Sequence, residues 1–317
     1  MKPGFSFNDA LAAPFAVLKR RPLYLFVWGL LMTALVAALY SLMFPAIAAM
    51  AAAPDRSGAF DAYLAESLRL QAAVNGMNIV MYLVMLVTWT AAARATLSPG
   101  RVDAFLFLRL GMDEVRVAVT LIAVFFVWYI VLLVLILIGV GIGMALWGQG
   151  QDHATAICAL IAYGVLVFSL SVWGWLRVSL IAPASLTLKR FAYTEGWTIA
   201  RGQMWKLLGL NLVIWVVYMV SAILTYAAVG GILAAGFFGQ GLVWPRDINS
   251  IADLQPLFRP MLWPALATVI PFSLGFGWIM TLYAAPSIVA ARQLLDGVPT
   301  THPIVEDAPA VDTLQPL

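Results

Sequence analysis

The chain has 317 residues, 63% of them hydrophobic and only 10% charged, with a formal net charge of +3. A soluble domain carries about 25% charged residues and must face water with its surface, so this composition excludes an ordinary soluble fold. The basic residues sit beside apolar runs rather than along one soluble face, so the charge does not call for nucleic acid as a partner.

In chain order, the first signal is Ser6 with Asp9 three residues on, a capping-box spacing. It opens a short stretch in which Leu11, Phe15 and Leu18 recur at helical intervals, with Pro14 expected to start or interrupt the helix. Lys19, Arg20 and Arg21 then precede the apolar run Pro22–Phe44. At 1.5 Å per residue this run makes about 34 Å of helix, too long for a signal-peptide core. It is read as a retained span, although Ala49 and Ala51 flank Met50 in the manner of a cleavage site.

Five more runs free of Asp, Glu, Lys and Arg follow: Val74–Ala93, Val117–Trp147, Ala154–Trp175, Leu207–Phe238 and Leu262–Ala285. Each approaches or exceeds the ~20 residues needed to cross a bilayer, and backbone groups in lipid must pair within their own segment, so all are read as helices. The third and fifth runs, counting Pro22–Phe44 as the first, exceed a ~30 Å hydrocarbon core. They are expected to bend or end at Gly139, Gly141 and Gly143, and at Gly230 and Gly231. Pro264 fits the first turn of the sixth helix, and Pro271 is expected to kink it. The last residues, 298–317, are rich in proline and acid and read as a disordered cytoplasmic tail.

Charge sets the expected orientation. Fourteen of the 18 Lys and Arg residues fall on the side that holds both termini, and four (Arg56, Arg69, Arg246 and Arg259) on the other. The positive-inside rule puts the larger group in the cytoplasm. Acidic residues split nine to six, so the asymmetry comes from the basic residues.

The organisation reads as three tandem hairpins, at about 1–98, 99–185 and 186–297. Each begins with an amphipathic cytoplasmic stretch and a basic cluster. Trp175 precedes Pro183 by eight residues, with Ala182 before the proline; Trp278, Ala285 and Pro286 repeat the spacing. Trp89 and Pro99 give a looser version. Tryptophan suits the membrane interface, and proline marks where a helix leaves or kinks. Such repeats occur in transporters and also arise by duplication of a hairpin. The expected fold is therefore an all-α polytopic membrane bundle. Residues 1–297 form one domain of six transmembrane helices in three repeated hairpins, with amphipathic interfacial helices.

The run from Ile181 to Lys206 contains Pro183, then Glu195 and Trp197, then Arg201 and Gly202. An apolar exit with proline, an aromatic-containing helix ending in Arg-Gly and a basic approach to the next span resemble a stretch of poorly characterised bacterial membrane proteins. These are similar to the membrane domain attached to some glycerophosphoryl diester phosphodiesterases. The likeness covers about 30 residues, and no loop is long enough for the soluble phosphodiesterase domain. It implies an architecture and a bacterial inner membrane, but no activity.

Chemistry is sparse. The single cysteine, Cys158, excludes a disulfide within the chain, and His153 and His302 are too few for a metal site. No span has a central ionisable residue, as proton-coupled carriers usually do. Gly139, Gly141 and Gly143 lie in an apolar span and lack the strand context of a nucleotide loop. Asp103, Asp113, Glu114 and Glu195 have no catalytic motif around them, although Asp113 and Glu114 suit a helix N-terminus. Thr194 or a neighbour is expected to cap the stretch holding Trp197, Ala200, Arg201 and Met204. Arg177 either snorkels to the interface or binds a phosphate or carboxylate. Arg177, Arg201 and Lys206 are the candidate lipid-headgroup contacts. Asn75, Asn78 and Asn211 are the candidate interhelical or polar-cavity residues. No catalytic residue, metal or cofactor is expected. The reading is a non-enzymatic, lipid-interacting accessory or assembly protein of a bacterial inner membrane; the alternative is an uncoupled permease for a small or lipophilic solute. Its expected partners are membrane lipids, anionic ones included, and a protein partner or a second copy.

Overall fold

The computed structural model describes residues 4–52, 60–98, 100, 103, 105–148, 153–242 and 255–296. The regular structure among them is helical: α1 (Phe7–Arg20), α2 (Pro22–Ala52), α3 (Phe60–Leu97), α4 (Met112–Gly148) and α5 (His153–Val178). After these come α6 (Ile181–Thr187), α7 (Tyr193–Ile199), α8 (Met204–Gly239), α9 (Gln255–Ala267) and α10 (Val269–Asp296). Six stretches are long and apolar enough to cross a membrane: they lie in α2, α3, α4, α5 with α6, α8, and α9 with α10. The proline-rich tail falls outside the described residues.

α1 starts where the sequence places it. The Ser6 hydroxyl accepts a hydrogen bond from the Asp9 amide at 3.3 Å. The reciprocal half of the capping box is supplied by another helix. Gln293 of α10 accepts from the Ser6 amide at 2.7 Å and donates to the Asp9 carboxylate at 3.3 Å. Pro14 neither starts nor interrupts α1; the helix runs through it, and Pro14 is buried with Ala10 and Val17. That small-residue face packs on the bundle, while Phe15 and Leu18 stay exposed.

Several expected breaks are absent. α4 continues past Gly139, Gly141 and Gly143 to Gly148, and α8 past Gly230 and Gly231 to Gly239. In lipid a glycine has no water to bond instead of its own helix, so its helix penalty is muted. Pro264 lies inside α9 with Pro260, not at a helix start. The interruption comes at Thr268, three residues before Pro271, whose missing N–H falls harmlessly in the first turn of α10. The Thr268 amide there is shared between the carbonyls of Pro264 and Ala265, both at 3.2 Å.

α10 is the centre of the bundle, packing on α1, α2, α3, α6 and α8. Its closest neighbour is α2. A Cβ added to Gly29 would lie 1.6 Å from the Ser273 carbonyl oxygen, and one added to Gly277 would lie 1.9 Å from that of Leu25. Between membrane helices there is no hydrophobic drive, so small residues that let backbones touch decide which helices associate. Hydrogen bonds add to this contact. Ser273 donates to Thr33 at 3.3 Å, and the Trp278 indole donates to Ser221 of α8 at 2.9 Å. The hairpin α4–α5 sits at the edge, with α4 also touching α3 and α6.

The two Trp-to-Pro segments fold differently. After Trp175 the chain turns at Ser179 and Leu180, and Pro183 lies in the short α6. After Trp278, α10 runs straight on through Pro286 to Asp296. In both, the proline and the alanine before it are buried.

Candidate functional site

The ion pairs cluster at one end of the bundle. There the last turn of α3 meets the first turn of α4 across an irregular link. Arg94 of α3 lies 2.7 Å from Glu114 and 3.3 Å from Asp113. Glu114 is 4% exposed and also accepts from the Thr90 hydroxyl at 3.0 Å and the Gly111 amide at 2.9 Å. Arg94 donates its other nitrogen to the carbonyls of Phe107 and Arg109, both at 3.3 Å. Every oxygen of this buried carboxylate is thus engaged, which such a group needs away from water.

The link itself is held in a strained form. Leu106 and Phe107 have φ of 55° and 62°, the left-handed region that non-glycine residues avoid by roughly 1–2 kcal/mol each. Partners on α2 and in the link between α1 and α2 fix them. The Trp28 indole donates to the Leu106 carbonyl at 3.0 Å, and Phe107 is buried under the Arg21 guanidinium, 4.9 Å from the ring centre. Arg21 also donates to the Ser98 carbonyl at 2.9 Å. Nearby, Arg109 pairs with Asp103 at 3.0 Å and Arg116 with Asp113 at 2.8 Å.

A further acid at this end is Glu195 in α7. It pairs with Arg190 at 2.8 Å, not with Arg201, and accepts from the Thr194 hydroxyl at 2.9 Å. Burial pushes its carboxyl up, but its own backbone amide, Thr194 and Arg190 together outweigh that and hold it below the ordinary value. Thr194 is therefore not the cap of α7; the cap position is Ala192, with no side-chain bond. α7 ends at Ile199, so Arg201 stands in a turn rather than on a helix with Trp197, and Gly202 takes φ of 88°.

The four carboxylates named from the sequence are thus all occupied by arginines. Five cations at the same end are not. Lys19, Arg20, Arg201, Lys206 and Arg292 are exposed, and none has an acidic partner among the described residues.

Arg177 has a different setting. It is half-buried, with its guanidinium 5.3 Å from the ring centres of both Trp173 and Trp197. One terminal nitrogen donates to the Trp197 carbonyl at 3.4 Å, while its buried Nε has no partner. Those two tryptophans border a groove of about 630 Å³ between α4, α5 and α7. The groove has an apolar wall that includes Val131 and Leu135, and Gly174 lets the Trp128 ring come close to the α5 backbone. A smaller cavity of about 190 Å³ lies between α1 and α3, lined by Arg20, Arg21 and Thr96 among others.

The candidate residues do not form one site. Arg177, Arg201 and Lys206 share an end of the bundle, but no side-chain contact joins them; Lys206 instead leans over the Phe5 ring at 6.0 Å. The asparagines are spread further. Asn75 is exposed and Asn78 half-buried on α3, about 33 and 28 Å before its Leu97 end at 1.5 Å per residue. Asn211 lies only about 10 Å into α8 from the charged end and bonds back to the Leu207 carbonyl of its own helix at 2.8 Å. None of the three lines either cavity. No group of His, Cys, Asp and Glu among the described residues is arranged to hold a metal.

The sequence missed the Arg94–Glu114 network because the partners lie twenty positions apart on two different helices. Its only trace was the acidic pair at the start of α4. It also missed the groove, whose third wall comes from α7 folding back over α5.

The architecture, with six helices long and apolar enough to cross a membrane, is that of a multi-pass helical membrane protein. Scans against protein-family models, curated proteins and solved structures found no match.

Proposed function

We propose that this is a non-enzymatic accessory or assembly protein of a bacterial inner membrane that works by holding anionic lipid at its charged, cytoplasmic end. One observation carries this reading. The carboxylates of Asp103, Asp113, Glu114 and Glu195 at that end are consumed by Arg94, Arg109, Arg116 and Arg190, which leaves Lys19, Arg20, Arg201, Lys206 and Arg292 facing outward without acidic partners among the described residues. A belt of free cations beside apolar helices attracts anionic headgroups, and this attraction is screened by salt. The resemblance of the Ile181–Lys206 run to membrane domains of lipid-related bacterial proteins agrees with it. An uncoupled permease would use a polar path near the midplane, and Asn75 and Asn211 sit toward opposite ends.

The test is lipid retention. Purified from native membranes, the protein is expected to carry phosphatidylglycerol or cardiolipin, and replacing the five free cations with glutamine should deplete it. Equal retention by the substituted protein, or facilitated solute flux in proteoliposomes, would overturn the reading. Orientation is checked separately on a Cys158→Ser background. Cysteines placed at Ser57, Gln151 and Asn249, which lie outside the described residues, should be labelled from outside intact cells.

A further inference from the structure

The groove between α4, α5 and α7 has dimensions that the cationic belt does not explain. Along α4 it runs from Ala123 to Leu135, about 18 Å at 1.5 Å per residue. That is close to half of a ~30 Å hydrocarbon core, the depth of one leaflet. Its volume of about 630 Å³ lies within the ~300–1,000 Å³ typical of small-molecule sites. The wall is almost wholly apolar along the two spans. Polar groups appear at the α7 end, where Thr194 and Thr198 join it.

The cation sits at that same end. Arg177 is fixed against Trp173 and Trp197, the two indoles that border the groove. An arginine stacked on aromatic rings is pre-organised, so it loses less freedom on binding an oxyanion than a loose lysine does. Its buried Nε lacks an acceptor, and its bond to the Trp197 carbonyl is long at 3.4 Å. The one carboxylate close by, Glu195, is already bound to Arg190 and Thr194. An apolar slot one leaflet deep, with a guanidinium held against the two indoles that border its polar end, matches a chain with an anion at its end.

We propose that this groove holds one acyl chain of an anionic phospholipid from the leaflet at the charged end, with the lipid phosphate bound by Arg177. The inference rests on the lipid-holding reading above and narrows it to a site and a ligand class. Threading one chain between α4 and α5 would also cover apolar walls that the two helices leave open to each other.

The experiment uses the full chain reconstituted in bilayers containing phosphatidylglycerol with a photoreactive acyl chain. Cross-linked peptides should map to Val131, Leu135 and Leu170 inside the groove in preference to Phe126 and Tyr129, which face outward on the same helix. Arg177→Gln should lower groove labelling roughly tenfold, as expected for loss of a charged hydrogen bond. Val131→Trp should block it by filling the slot. A matched thermal unfolding curve for each variant shows that the bundle is intact, and Ser171→Trp provides a second way to fill the groove should Val131→Trp not fold. Phosphatidylcholine carrying the same chain should label the groove weakly. Uniform labelling of α4, or groove labelling indifferent to both Arg177 and lipid charge, would mean bulk lipid only and would overturn the site. If the five-cation variant still loses anionic lipid while the groove stays unlabelled, the site fails and the broader function stands. If no anionic lipid is retained at all, both fail.

Discussion

α10 and α4 are both long apolar helices, yet they live in different surroundings. Of the residues in its most apolar stretch, 39% are buried in α10 and none in α4, although α4 is the more hydrophobic. In water the greasier helix would be the buried one. In lipid the order reverses, because a leucine gains nothing by leaving acyl chains for protein. What draws α10 inward is the run Ser273, Gly275 and Gly277, which meets α2 and α8 with almost no side chain between. What leaves α4 outside is its sleeve of large residues, Phe125, Phe126, Tyr129 and Ile136 among them, all exposed. Small residues, and not apolar ones, locate the core of this bundle.

One substitution type, made in both regions, puts that contrast at risk. Gly277→Ala would drive a methyl into the Leu25 backbone, which has no rotamer to yield, so α2 and α10 must part. The expected effect is the largest here, ~3 kcal/mol or failure to fold, read as loss of the monodisperse elution peak or a collapsed unfolding temperature. If Gly277→Ala melts like the wild type, the tight crossing is not what holds the bundle.

Next in size is Glu114→Ala, which strands Arg94 and Thr90 in a buried site. About 3 kcal/mol of destabilisation is expected, with most of it recovered when Arg94→Met is added. A double-substitution cycle measures the coupling; simple additivity would sever the proposed tie between the two helix ends.

Gly174→Ala belongs to the looser region. Its methyl would meet only the outer atoms of the Trp128 ring, which can swing toward the open groove. About 1 kcal/mol is expected, well below the effect at Gly277. Equal losses at the two glycines would erase the distinction between crossing and hairpin.

The smallest effect concerns acid. Because the folded Glu195 carboxyl titrates below its ordinary value, its pairing with Arg190 stabilises the fold above the unfolded carboxylate pKa. That contribution is lost as pH falls through the lower folded value. The pair is largely solvated, so a few tenths of a kcal/mol is the scale. The stability gap between wild type and Glu195→Gln should be flat at neutral pH and close under acid. A gap that widens toward low pH would reverse the sign.

The spans were legible in the sequence because lipid imposes one demand, about twenty residues without charge, and six runs meet it. Their ends were less so. Gly139 and Gly230 look like stops only where water competes for the backbone. Pro14 looks like a break only until the face it occupies is packed. The Trp-to-Pro spacing shows the limit most clearly: the same letters precede a turn at Leu180 and an unbroken helix at Pro286. In the first case Gly196 of α7 lies against Ile181 of α6, where a Cβ would come within 2.5 Å of the Ile181 Cα. That contact folds the chain back, and it depends on residues fifteen positions away. Arg177 could be placed at the interface from its neighbours, but the groove beside it needs three helices assembled.

The clamp of Gln293 on Ser6 has a consequence for how the molecule is made. It joins residues 287 apart, and the Ser273 contact to Thr33 joins residues 240 apart. A ribosome adding ~5–20 residues per second takes roughly 10–50 seconds to cover the shorter interval. Through that time α2 is in the bilayer with its glycine face bare, and α1 has no partner for its cap. The earliest of these six spans is therefore among the last to be packed. The newborn chain must either leave that face to lipid or have it shielded by the insertion machinery until α10 emerges.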